Sequence, residues 1–170
     1  MKLSTKGRYA VTALADIALQ GAEPGGDEAR LVSLAEIAER QDISLAYLEQ
    51  LFARLRRAGL VESMRGPGGG YRLARPAAQI NIAQIMAAVD ERLNAMGCDK
   101  KPGQGCGGSK AGCLTHNLWE QLSAHVHVFL ARMTLADVVA DRLAPCPAVP
   151  DFAALIEDDA EDSAAAANAP

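Results

Sequence analysis

Three cysteines and a histidine follow one another in mid-chain as Cys98, seven residues, Cys106, six residues, Cys113, two residues, His116. Thiolate sulfur and imidazole nitrogen are the donors that borderline and soft metals prefer, and four of them complete a coordination sphere. The stretch from Gly97 to Thr115 holds six glycines and Pro102 without any hydrophobic period, so it reads as a loop that can fold around a metal. Such a length exceeds that of a passive connector in so small a protein. Two metal readings fit the spacing: a structural zinc with three thiolates and one imidazole, and an iron-sulfur cluster with the same donors. Free thiols in a loop are the non-metal reading. Cys146 stands apart between Pro145 and Pro147 as a plain thiol, and His125 and His127, two residues apart on a helical stretch, face different sides and form no joint site.

A second group of residues can bond base edges. Ser44, Tyr47, Glu49 and Gln50 open a helical stretch, on the face away from Leu45, Leu48, Leu51 and Leu55. Gln pairs bidentately with adenine, a carboxylate accepts from cytosine N4, and Ser or Tyr bonds bases or phosphates. Further on, Arg65-Gly66-Pro67-Gly68-Gly69-Gly70 joins two short strands. Its glycines, Gly68 among them, permit close backbone approach to a duplex, and Arg65 can enter a narrow minor groove where the negative potential is strongest. A nucleotide-phosphate cradle would lead from a strand into a helix, and these glycines do not.

The elements that must carry these residues are mostly helical. Hydrophobic residues make up 49% of the 170 residues but aromatics only 4%, as expected for helices packed with Ala, Leu, Val and Ile. Tyr9 to Gln20 has helical spacing and stops at Gly21. Ser33 and Glu36 form a capping box for a short helix to about Arg40. Ser44 then caps Leu45 to Ala58, ended by Gly59, so that two helices flank a tight turn as in a helix-turn-helix. Leu60 to Met64 and Tyr71 to Ala74 read as the strands of a wing. Asn81 caps a helix of about Ile82 to Arg92. From His116 to Leu143 apolar residues recur at helical spacing, predicting one helix of roughly 40 Å. Its stripe is too long to cover within a monomer, which points to packing against the same helix of a second subunit.

The expected division is a winged helix-turn-helix domain over 1–80, with the helix-turn-helix at about 34–58 and the wing at about 60–74. A second region, 81–144, comprises the cysteine loop (97–116) and a dimerisation helix (116–143). An acidic, Ala-rich tail over 145–170 is expected to be disordered.

Charge agrees with local contact to nucleic acid. The chain is acidic overall at -4, yet between Ile43 and Arg75 its arginines outnumber Glu49 and Glu62. Arg8, Asp16 and amphipathic spacing argue against an N-terminal signal peptide, and no run of ~18 apolar residues predicts a membrane span. A cytoplasmic location is expected, where reduced thiols favour metal binding over disulfides. No Ser-His-Asp, Walker or paired-carboxylate arrangement occurs, so an enzyme is not expected.

Taken together, KGRYAVTAL at 6–14, ISLAYLEQLFARLRRAGLV at 43–61, RGPGGGYRLA at 65–74, AVDE at 88–91 and CLTH at 113–116 resemble the iron-sulfur cluster regulators of the Rrf-type winged-helix family. The resemblance implies a homodimer with one [2Fe-2S] cluster per subunit, held by Cys98, Cys106, Cys113 and His116. It implies an operator-binding regulator that represses cluster-assembly genes, its own operon included, when loaded, and binds a different operator class when empty. The cluster-assembly machinery would be the donor. Base-reading roles fall on Ser44, Tyr47, Glu49, Gln50, Arg65 and Pro67, with Glu49 at the position linked to discrimination between promoter classes. Ala46 stands where the family carries a second recognition-helix serine, and the cysteine loop is longer than the family's spacing.

Overall fold

The computed structural model describes residues 4–22, 24, 30–91 and 115–142. Helix α1 (Thr5–Leu19) begins at Ser4, whose side chain accepts from the Lys6 amide, a turn earlier than the apolar pattern alone suggests. Ala10, Ala13, Leu14 and Ile17 recur on one face and are fully buried. The Ser33/Glu36 capping box starts α2 (Leu34–Gln41), and Asp42 ends it in the left-handed region at φ 51°. Asp tolerates that conformation, and it turns the chain into α3 (Leu45–Arg57). Gly59, at φ 67°, closes α3.

Strands β1 (Val61–Met64) and β2 (Gly70–Leu73) pair antiparallel, with Val61 opposite Leu73 and Met64 opposite Gly70. The segment before α2 adds to this sheet through two bonds, Val32 N–H to the Tyr71 carbonyl at 2.9 Å and Tyr71 N–H to the Val32 carbonyl at 2.8 Å. After a 3₁₀ turn at Ala77–Gln79, a second capping box, Asn81 with Gln84, starts α4 (Ile82–Ala88). The helix stops short of the expected Arg92, because Asp90 takes a left-handed φ of 54°.

The expected single helix over 116–143 divides in two: α5 (His116–Arg132) and α6 (Leu135–Val139). Met133 is extended, and Thr134 forms a capping box with Asp137 that starts α6 afresh. The break is held from outside: Ile82 N–H donates to the Met133 carbonyl at 2.9 Å, and Leu135 N–H to the Ile80 carbonyl at 2.8 Å. Leu135 is thereby fully buried in the same core as Leu14, Phe52, Leu73 and Ile85. At about 1.5 Å per residue, α5 spans about 26 Å rather than 40 Å. The cysteine loop up to residue 114, Cys146 and the tail lie outside the described residues.

Candidate nucleic-acid interface and metal ligands

Helix α3 sends Leu48, Leu51, Phe52 and Leu55 into the core, which turns Glu49 and Gln50 outward as expected. Ser44 occupies the cap position and is exposed, but its side chain makes no capping bond. Tyr47 is half-buried. Its ring stands edge-on to Tyr9 of α1, with centroids 5.9 Å apart and planes at 85°, so it ties the start of α3 to α1.

A buried ion pair holds the other helix of the pair. Asp16 of α1, only 3% exposed, accepts from Arg40 Nε at 3.0 Å and Nη2 at 2.6 Å, and from Gln41 Nε2 at 2.8 Å. Burial alone would raise the Asp16 pKa, but the bonds from Arg40 and Gln41 and the arginine's charge outweigh it and hold the carboxyl below its usual 3.8. Sequence periodicity treated Asp16 only as an argument against a signal peptide; its role depends on a partner 24 residues away.

The wing tip is a tight turn. Gly69 N–H donates to the Gly66 carbonyl at 2.9 Å, and Gly68 has φ 76°, the third-position geometry of a type II turn with Pro67 before it. Gly68 is required there for its backbone. Arg65, Pro67 and Gly68 are all exposed at this tip. Behind them, Arg72 donates to Glu62 on the opposite strand at 2.9 and 2.7 Å.

Geometry sorts the arginines of the basic segment. Arg54 donates to Asp90 at 2.7 Å, Arg72 to Glu62, and Arg75 to Gln84 at 3.3 Å, so all three brace the fold. Arg56, Arg57 and Arg65 are exposed on α3 and the wing. Local charge counting could not make that division.

One α3 expectation needs correction. The apolar pattern assigned Leu45 to the core-facing set, yet it is 43% exposed while Leu48, Leu51 and Leu55 are at most 2% exposed.

Of the four expected metal ligands, His116 lies within the described residues; Cys98, Cys106 and Cys113 do not. His116 is the first residue of α5, its side chain is 17% exposed, and its Nε2 lies 3.7 Å from Glu120 Oε2. Helix α5 buries none of its residues, and Leu118, Trp119, Leu122 and Phe129 are 40–62% exposed on it. Leu130 and Met133 pack against the core.

Two helices joined by a tight turn, the second open to solvent at its start, followed by a two-stranded wing, define a winged helix-turn-helix protein. The chain belongs to the Rrf2 family, described as iron-dependent transcriptional regulators, which it matches over residues 3–141. It is 57% identical to the HTH-type transcriptional regulator IscR of Cereibacter sphaeroides over 159 residues, 94% of this chain and all of that one. It is 52% identical to IscR of Vibrio vulnificus over 83% of this chain and 79% of the relative. Among solved structures it is similar to T. potens IscR, at 38% identity and a TM-score of 0.62, over 84% of this chain and 88% of that one. It is also similar to CymR, the global cysteine regulator of B. subtilis, at 31% identity and a TM-score of 0.64, over 82% and 97% of the two chains. These relatives are transcription regulators, not enzymes. Among the described residues no helix is long and apolar enough to cross a membrane.

Proposed function

We propose that this protein is a cytoplasmic, homodimeric regulator that binds operator DNA and adjusts its choice of operator to iron-sulfur supply. The observation that carries the DNA-binding reading is the open surface formed by the first turns of α3 and the wing tip. Ser44, Glu49 and Gln50 are exposed on α3, and Arg65, Pro67 and Gly68 on the wing. Laid against B-DNA, α3 fits the major groove and the wing a neighbouring minor groove. Tyr47, half-buried against Tyr9, sets the angle at which α3 is presented.

The exposed stripe on α5 supports a homodimer. Leu118, Leu122 and Phe129 lie within about 40° of one another around the helix. They are 62%, 41% and 57% exposed, so covering each contributes about half of a full burial, on the order of 1 kcal/mol.

Cys98, Cys106, Cys113 and His116 would hold one [2Fe-2S] cluster per subunit, delivered by the cluster-assembly machinery. The residues fit such a group in donor chemistry: His116 offers a largely enclosed imidazole at the head of α5, three residues after Cys113 in sequence. The iron-dependent description of the family favours this over zinc. When bound, the cluster supplies an occupancy signal, and an imidazole among thiolates leaves the site less negatively charged and open to protonation, so occupancy follows supply. On this reading the loaded dimer represses cluster-assembly genes, its own operon included, and the empty dimer binds a different operator class, with Glu49 discriminating between them.

Anaerobically purified protein is expected to be reddish-brown with about one cluster per subunit. Cys113→Ala should lose the colour, remain dimeric, and change operator choice in footprints on the promoter of its own gene. Colourless protein with stoichiometric zinc would overturn the cluster reading, and unchanged operator choice in Cys113→Ala would overturn sensing.

A further inference from the structure

The exposed leucine at the head of α3 has no part in folding the helix pair. Ile43 and Leu48, on either side of the Ser44 cap, are 4% and 0% exposed, and these positions form the usual apolar staple of a helix start. Leu45 is left outside it at 43% exposed.

Its surroundings say what it faces. At 100° per residue, Leu45, Glu49, Phe52 and Arg56 fall within about 60° around α3. Phe52 is fully buried with its ring 4.8 Å from that of Tyr71 on β2, and Arg56 reaches Ser63 of β1 at 3.4 Å. This azimuth therefore looks toward the wing. The sheet covers its C-terminal half, and the N-terminal half, carrying Leu45 and Glu49, is open.

We propose that Leu45 is a specificity-determining residue that reads the C5-methyl of a thymine in the major groove; the proposal rests on the DNA-binding reading above. The thymine methyl is the apolar group that base pairs display there, and it borders the C4 edge of pyrimidines where a carboxylate accepts from cytosine N4. Leu45 and Glu49 are one turn apart, about 6 Å along the helix, which is between one and two base steps. The open stripe thus reads one strand as pyrimidines: a thymine by its methyl, and a cytosine one or two steps away by its amino group. Ala46, alongside, has a methyl side chain with no donor or acceptor, so it makes no competing hydrogen bond.

The test removes the methyl without touching any hydrogen bond. Operators are selected from random duplexes with the full-length dimer, and each thymine is replaced in turn by deoxyuridine. For the parent protein, one replacement per half-site should weaken binding roughly 3- to 10-fold. Leu45→Ala should bind the thymine operator more weakly and show no further loss with deoxyuridine at that position. Leu45→Met, still apolar, should recover the sensitivity. Leu45 is exposed and Ala is the better helix former, so both variants should keep the parent's circular dichroism. If the parent selects no sequence, the DNA-binding reading and this proposal fall together. If it selects an operator but ignores every deoxyuridine, or if Leu45→Ala keeps the full sensitivity, the proposal alone is wrong.

Discussion

Replacing Asp16 with Asn tests whether the helix pair is held to α1 by charge. The carboxylate is 3% exposed and receives four bonds, three from Arg40 and one from Gln41, whereas the Arg40 side chain is 31% exposed. Breaking a fully buried pair costs roughly 3–5 kcal/mol. The guanidinium can recover water once released, which roughly halves that to about 2 kcal/mol. For a folded unit of this size, about 4 °C per kcal/mol gives a fall in Tm of roughly 8 °C. Thermal unfolding at matched dimer concentration measures it, because dissociation makes Tm depend on concentration.

The pH dependence provides a second check. The native carboxyl titrates below 3.8, its unfolded value, so its contribution is fully present above 3.8 and is lost as pH falls through the lower native value. The gap between parent and Asp16→Asn should be flat from neutral pH to about pH 5 and close in stronger acid. A gap under about 2 °C at neutral pH, or one that persists undiminished in acid, would refute the reasoning.

Other perturbations probe separate parts of the molecule. A Cβ on Gly70 would lie 2.7 Å from the Val32 carbonyl oxygen, which is backbone and cannot swing aside, so Gly70→Ala should cost about 1–3 kcal/mol in urea unfolding and weaken DNA binding through the wing. Arg65→Ala should weaken operator binding and lower the slope of log affinity against log salt by about one, read from titrations at several salt concentrations. Leu122→Asp, at a site 41% exposed in the monomer, should give a monomer in sedimentation velocity with helix content retained.

Much of this protein is legible locally. Ser33 with Glu36 and Asn81 with Gln84 bond within four residues of themselves, so α2 and α4 begin where the sequence says. Gly66-Pro67-Gly68 encodes its own turn, because Pro67 and the positive φ of Gly68 need no partner elsewhere. The Thr134 and Asp137 box was equally local and readable, but the continuing apolar period of 116–143 concealed it. The helix-turn-helix pair, the wing and the start of α4 were thus determined by the sequence alone, since caps, glycines and residue types act over a turn or less.

Tertiary structure decided which part of each face is covered. Leu45 and Phe52 share an azimuth on α3, and periodicity gives them the same environment, yet Tyr71 covers one and nothing within the described fold buries the other. The arginines divide in the same way, into those that meet Asp90, Glu62 or Gln84 and those that stay exposed, Arg56 among them though it reaches Ser63. Helical spacing carries the angle of a side chain but not the extent of the element packed against it, and that extent follows from strands and helices distant along the chain.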